Sequence, residues 1–284
     1  MTTTATVEAA LFNPPGRARF APTLLALFAI IVCLFLVAPI LVVLLSSLTA
    51  VDYVSFPPVG WSLRWYVEVI RSDEFINSLI VSFVVASVVG LVATILGTLA
   101  ALAITRLQFM GRDFLNSLFL SPLVLPGIVI GAAILQLYAR AGIGSSLPSL
   151  MFGHLLIALP YSIRLSCTSL AGFDRRLELA AQNLGASPLR AFLRVTLPIV
   201  FPGIAGGAAF AFIISFEDVN LALFLSSAQT ITLPVRIFTF MSQESSPIVS
   251  AAGSLLTIIV IVIAVVIDRL VGLKMAFGKL QSQR

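Results

Sequence analysis

Six apolar stretches, each long enough to cross a lipid bilayer, restrict this chain to a small set of folds. They cover roughly residues 23–48, 76–104, 114–138, 149–170, 203–226 and 247–268. About 20 apolar residues are needed to cross the hydrocarbon core as a helix. Backbone polar groups in lipid must bond within their own segment, so these stretches predict membrane-spanning helices. Because 59% of the residues are hydrophobic and only 10% are charged, a water-soluble enzyme with a single core is excluded.

The basic residues predict how the helices are oriented, because short cytoplasmic loops carry an excess of Lys and Arg. With the N-terminus inside, the inner segments hold Arg17, Arg19, Arg106, Arg112, Arg175, Arg176, Arg190, Arg194, Arg269, Lys274, Lys279 and Arg284. The outer segments hold only Arg64, Arg71, Arg140 and Arg236. An odd number of spans would move the last four inner residues outside. We therefore predict six spans with both termini cytoplasmic, and no nucleic-acid partner for the net charge of +5.

The same pattern divides the chain into one membrane domain with two tails. We predict a cytoplasmic tail over 1–22, a transmembrane domain over 23–271 with a cytoplasmic loop at 172–202, and a second tail over 272–284. The first apolar stretch is longer than the 7–15 residues of a signal peptide's apolar region. It is therefore expected to remain as a span, with a kink at Pro39.

A polar, basic segment at 177–198 is predicted to form two short helices joined by a tight turn. Apolar residues recur with helical spacing at Leu177, Ala180, Ala181 and Leu184,. Gly185 predicts a left-handed residue that ends the first helix. Ser187 and Pro188 predict the N-cap and first residue of the second. This segment is either a surface that another protein grips or an amphipathic pair lying on the inner leaflet.

The second helix of this segment is expected to have two distinct faces. An apolar stripe is formed by Leu189, Phe192 and Leu193, whereas Arg190 and Arg194 share another face,. Pro198 and Pro202 are expected to end the segment before the next apolar stretch.

Ala180, Ala181, Gly185, Leu197 and Pro198 match the form Glu-Ala-Ala, three residues, Gly, then Leu-Pro. The segment thus resembles the cytoplasmic coupling (EAA) loop of binding-protein-dependent ABC importer permeases. Leu179 occupies the place of the motif's Glu, and the acid lies one position earlier at Glu178, about 100° around a helix. The resemblance implies a type I importer permease fold. It also implies that ATP-binding cassette ATPase subunits contact Glu178, Ala180, Ala181, Gly185, Ala186, Ser187, Pro188, Arg190 and Pro198.

Two adjacent carboxylates, Glu217 and Asp218, lie within the fifth apolar stretch. A charge at the bilayer centre costs about 2.5–3.5 kcal/mol on insertion scales, so such residues usually face a cavity or a partner. One interpretation is an ion pair with Arg164 in the fourth stretch. The other is a lining of the substrate pathway, which the estimated difference in depth of about 10 Å favours. The predicted pathway residues are Ser215, Glu217, Asp218 and Asn220, with Glu217 and Asn220 on one helical face.

The acidic pair after Ser215-Phe216, followed by Thr232-Leu233-Pro234-Val235, is similar to the fifth-span region of spermidine/putrescine-type permeases. This resemblance implies an amine-containing substrate, most simply a polyamine such as spermidine or putrescine. Opines, amino-acid-like compounds and aminophosphonates remain alternatives. It also implies a bacterial inner-membrane location, a periplasmic substrate-binding protein, and a second permease subunit that is identical or homologous.

No motif in the sequence predicts catalysis. A Walker A sequence and the motifs of metalloproteases and serine hydrolases are absent,, so the chain is expected to be a transport subunit without its own ATPase site, cofactor or metal. A secondary transporter is the less favoured alternative, since the halves show no matching broken helices. In the first outer loop, Trp61, Trp65 and Tyr66 predict a short helix that either lies at the headgroups or docks a binding protein.

Overall fold

The computed structural model describes residues 20–243 and 246–281, and this part of the chain is helical with no strand. Five of its helices are long and apolar enough to cross a membrane, and a bent pair of shorter helices forms a sixth span if it is counted as one. The prediction of an all-helical polytopic membrane protein is confirmed. The cytoplasmic position of the termini remains a prediction.

The helices fall into long spans and short connecting elements. In chain order they are α1 (Phe20–Ser46), α2 (Arg64–Arg71), α3 (Asp73–Arg106), α4 (Arg112–Leu120), α5 (Gly127–Ala141), α6 (Leu147–Ala171), α7 (Arg175–Asn183), α8 (Pro188–Ala191), α9 (Leu197–Glu217), α10 (Ala222–Leu225), α11 (Leu233–Gln243) and α12 (Pro247–Gln281). Most of the predicted N-terminal tail, residues 1–19, lies outside the described residues. So do residues 282–284 of the predicted C-terminal tail, whereas α12 continues through the rest of that tail to Gln281.

The predicted third span, 114–138, is not one straight helix. A short 3₁₀ turn at Ser121–Leu123 follows α4, and α5 leaves at an angle of 104°. Pro122 and Pro126 lack the N–H groups that a continuous helix needs, which accounts for the break,. The helices α4 and α5 therefore form one span only if they are counted together as a bent unit.

Three long helices, α3, α6 and α9, form the centre of the molecule. Small residues allow their backbones to approach: a Cβ atom added to Gly207 would lie 3.1 Å from Cα of Ser162, and one added to Gly97 would lie 2.8 Å from Cβ of the same serine. Close backbone approach through small residues is the usual way in which helices associate in lipid, where apolar surface gains nothing from leaving the solvent. Val85, Ala158 and Ala211, each fully buried, complete this contact.

Pro198 and Pro202 do not end the polar segment, contrary to the prediction. A π-helical turn at Phe192–Thr196 joins α8 to α9, so the chain stays helical from Pro188 to Glu217. Membrane helices tolerate proline when local adjustment and neighbouring helices satisfy the freed backbone groups. The helix α8 is therefore continuous with α9.

The first outer loop contains the expected short helix, α2, but its aromatic residues anchor the fold. Trp65 is buried, and its Nε1 donates a hydrogen bond of 2.9 Å to the carbonyl of Thr49. The hydroxyls of Tyr66 and Ser47 lie 2.6 Å apart. Only Trp61, of the three aromatic side chains, is largely exposed. Trp65 and Tyr66 therefore hold α2 against the end of α1, and neither the headgroup nor the docking interpretation describes them.

Candidate functional site

The turn between α7 and α8 has the backbone geometry that the sequence predicts. Gly185 has a φ of +93°, its N–H bonds to the carbonyl of Gln182 at 2.9 Å, and the N–H of Ala186 bonds to the carbonyl of Ala181 at 3.1 Å. This pair of hydrogen bonds is a Schellman motif, which satisfies carbonyls left free at a helix end. The predicted left-handed turn at Gly185 is confirmed.

The second helix starts as predicted. Ser187 has extended backbone angles, and its side chain accepts a hydrogen bond of 3.4 Å from the N–H of Arg190. Pro188 follows as the first helical residue, where its missing N–H costs no hydrogen bond. The turn at Gly185 and the cap at Ser187 are two residues apart and set the angle between the helices, so α7 and α8 form a bend.

This bend presents apolar side chains away from the rest of the chain. Leu184 is 89% exposed and Leu189 is 68% exposed, and Leu177 and Leu179 are about half exposed. Of the other predicted contact residues, Ala180, Ser187, Pro188, Arg190 and Pro198 are exposed, and Ala181 and Ala186 are half-buried. Several large apolar side chains exposed on a basic, polar segment are consistent with a protein-binding surface.

Glu178 lies on the opposite side of α7 and is buried inside the chain. Its two carboxylate oxygens accept hydrogen bonds from the Arg106 guanidinium at 3.1 and 2.7 Å, and Oε2 also accepts one of 2.6 Å from the Thr196 hydroxyl. Burial acts to raise the pKa of Glu178, but the bonds from Thr196 and Arg106 outweigh it and hold the pKa below its ordinary value,. Glu178 thus joins the bend to the end of α3 and the π turn.

The acidic pair lies where the fifth span ends. Glu217 is the last residue of α9 and is exposed, whereas Asp218 has extended backbone angles and is half-buried. Oδ2 of Asp218 accepts hydrogen bonds of 3.0 Å from the N–H groups of Leu221 and Ala222. Asp218 therefore caps the start of α10, whereas the Glu217 carboxylate forms no ion pair within the part of the chain that the structure describes.

Two details of the sequence prediction are wrong here. Because α9 ends at Glu217, the predicted span to residue 226 is interrupted, and Glu217 and Asn220 do not share one helical face. Asn220 packs instead at the start of α5, where a Cβ added to Gly127 would lie 3.2 Å from that of Asn220. Within the described residues, Glu217 and Arg164 form no ion pair, which agrees with their predicted difference in depth.

Ser215 is buried and bonds to a residue that the sequence did not place in the site. Nδ1 of His154 lies 3.0 Å from the Ser215 hydroxyl and 3.1 Å from its carbonyl. His154 is fully buried, and this contact ties α6 to the last turn of α9. Arg106 and Thr196 were missed in the same way, because nothing in the local sequence indicates a partner on another helix.

Comparisons with known proteins identify relatives of the chain. No protein-family model matches the chain. It is 31% identical over 229 residues to the putrescine transport system permease protein PotI of Escherichia coli K12, covering 78% of this chain and 81% of PotI. It is 30% identical over 238 residues to the spermidine/putrescine permease PotC of Haemophilus influenzae, covering 84% and 92%. The trehalose permease SugB of Mycobacterium tuberculosis is 33% identical over 210 residues, covering 71% and 75%.

A solved structure supports the fold. The bacterial alginate ABC transporter, in complex with an alginate-bound periplasmic protein, contains a chain that superposes with a TM-score of 0.69 at 15% identity, covering 89% of this chain and 94% of that one. The fold and the similarity to curated relatives together define the membrane-spanning permease subunit of an ABC importer. The chain belongs to the spermidine/putrescine-type permeases of the binding-protein-dependent ABC importers. It is accordingly a multi-pass inner-membrane protein, and ATP hydrolysis in this family belongs to a separate subunit.

Proposed function

We propose that this permease imports a small polyamine of the spermidine or putrescine type. The observation that carries the proposal is Glu217: an exposed carboxylate at the end of a membrane helix, beside the break between α9 and α10. A carboxylate at such a position is costly unless it meets a cation. The ammonium groups of a polyamine supply that cation, and the similarity to PotI and PotC supports the same substrate class.

The bend of α7 and α8 is the surface on which an ATP-binding cassette subunit acts. Its exposed leucines supply the contact, and its two caps keep its shape when force is applied. Because α8 continues into α9 without interruption, a displacement of the bend moves the helix that ends at Glu217. The buried pair of Glu178 and Arg106 transmits the same displacement to α3.

The remaining parts of the transporter follow from this role. A periplasmic binding protein delivers the polyamine to the outer end of the spans, and a second permease subunit, identical or homologous, completes the pathway. Glu217 and Asn220 contact the substrate in the pathway. Ser215 and Asp218 support the site through their hydrogen bonds to His154 and to the backbone at the start of α10.

The experiment that tests the substrate is uptake of labelled putrescine into proteoliposomes that contain the complete transporter. Replacing Glu217→Gln should lower uptake per folded molecule about tenfold, since a charge-assisted hydrogen bond contributes about 1.5–3 kcal/mol. The exposed Glu68→Gln, which removes the same charge elsewhere, is the matched control.

Two results would contradict the proposal that the substrate is a polyamine. Equal uptake by the Glu217→Gln and Glu68→Gln variants would show that Glu217 does not meet the substrate. Uptake of trehalose in place of putrescine by the unaltered transporter would assign a sugar, the alternative that the similarity to SugB favours.

A further inference from the structure

A cavity of about 230 Å³ lies at the end of the bundle that carries the bend, separate from the exposed leucines and from Glu217. It is a half-open cavity where α3 and α6 end and where α4 and α7 begin. Three arginines line it, namely Arg106, Arg112 and Arg175. Apolar residues that include Leu170 and Phe173 also contribute to the lining.

The arginines leave this cavity with an excess of positive charge. Arg106 is paired with Glu178 at 2.7 Å, but within the described part of the chain no carboxylate lies within 4 Å of the guanidinium of Arg112 or Arg175. Asp113 is exposed, and Asp174 caps α7 through the N–H of Arg176. Arg175 also attracts Glu178, but that carboxylate is already bonded to Arg106. Arg175 is exposed and Arg112 is half-buried, and a partly desolvated guanidinium such as that of Arg112, without a counter-ion, favours the binding of an anion.

The lining and the position of the cavity indicate which kind of anion it binds. Guanidinium groups bind phosphate oxygens in pairs, and basic pockets between membrane helices on the cytoplasmic side hold anionic headgroups. The cavity lies at the ends of two spans, and apolar residues line it beside the arginines. A soluble anion would gain nothing from Leu170 and Phe173.

We propose that this cavity binds the phosphate of an anionic phospholipid in the inner leaflet, with Arg112 and Arg175 as the main contacts. The assignment of the lipid to the inner leaflet rests on the orientation used in the proposed function. The recognition of phosphate does not depend on that orientation. Arg106 contributes one wall of the cavity and also holds Glu178. A bound lipid therefore contacts the same residue that ties the bend to α3.

The test is thermal unfolding of the purified full chain in detergent micelles that contain increasing amounts of phosphatidylglycerol or phosphatidylcholine. A ligand that binds only the folded state raises the unfolding temperature by an amount that grows with the logarithm of its concentration relative to its Kd. Phosphatidylglycerol should raise it and phosphatidylcholine should not. The double variant Arg112→Gln/Arg175→Gln should weaken the apparent affinity for phosphatidylglycerol about tenfold or more, because it removes two basic residues that each contribute to the free energy of binding an anionic lipid.

The matched control is Arg176→Gln/Arg194→Gln, which removes two exposed arginines from the same end of the chain and should keep the affinity. Ala171→Glu places a carboxylate in the cavity and should abolish the lipid effect without removing an arginine. Equal losses in both double variants, or equal effects of the two lipids, would overturn the proposal. Full displacement of the lipid by inorganic phosphate would assign a soluble anion instead. A failure to recruit an ATPase would count against the proposed function alone.

Discussion

At the scale of single residues, Glu178 does not take the place of the motif's glutamate. It makes a contact inside the chain instead. The acid that stands one position from the family's Glu points into the chain, where Arg106 and Thr196 bind it. A buried ion pair of this kind is costly to break from one side, by about 3–5 kcal/mol, because the remaining charge stays buried. Glu178 therefore fixes the position of α7, and the exposed leucines are left to contact a partner.

The lowered pKa of Glu178 predicts a dependence of stability on pH. A group with a lowered pKa in the folded state contributes its full stability above the unfolded pKa, about 4.3 for glutamate, and loses it as the pH falls through the folded value. The chain should therefore lose stability on acidification below about pH 4.3. Glu178→Gln should be less stable at neutral pH and should lack this part of the acid dependence. Thermal unfolding between pH 3 and pH 7 measures both, and identical pH profiles would contradict the role of the pair.

At the scale of elements, the turn at Gly185 requires glycine for its backbone conformation and not because neighbouring atoms leave no space. A Cβ atom added there would meet no atom within 4 Å, but the φ of +93° is unfavourable for any other residue, and most of all for a β-branched one. Gly185→Val should therefore insert and fold, yet lose most substrate-driven ATP hydrolysis in the complete transporter, because the bend changes its angle.

The control for this turn is Gly144→Val, at an exposed glycine whose added Cβ atom would also meet nothing and whose φ is not positive. It should keep both transport and ATP hydrolysis. Normal coupling in Gly185→Val would show that the shape of the bend is not needed.

Two neighbouring glycines of α9 test the packing of the central helices. A side chain at Gly207 would meet the backbone of Ser162 at 3.1 Å, whereas one at Gly206 would meet nothing within 4 Å. Gly207→Leu should destabilise the chain by about 1–3 kcal/mol through overpacking, and Gly206→Leu should leave it unchanged or slightly more stable. Unfolding curves in detergent compare the two, and equal stabilities would show that α6 and α9 pack less closely than described.

At the scale of the whole molecule, the orientation in the membrane decides which end meets the ATPase. In a chain whose Cys33 and Cys167 are replaced by Ala, a cysteine at Arg176 should react with a membrane-impermeant maleimide only in inverted vesicles. A cysteine at Arg140 should react only in intact cells stripped of the outer membrane. The reverse pattern would place the bend outside and remove the basis for coupling.

The sequence alone determined the features that depend on neighbouring residues. Apolar length specified helices, since lipid leaves the backbone no other partner, and Gly185, Ser187 and Pro188 specified the bend, because caps and left-handed residues follow local backbone rules. Tertiary structure alone decided which groups meet across helices. Arg106 reaches Glu178 across 72 positions of sequence, and His154 reaches Ser215 across 61. The break at Glu217 likewise depends on α10 packing against α5 and α6, contacts between distant parts of the sequence that no local pattern encodes.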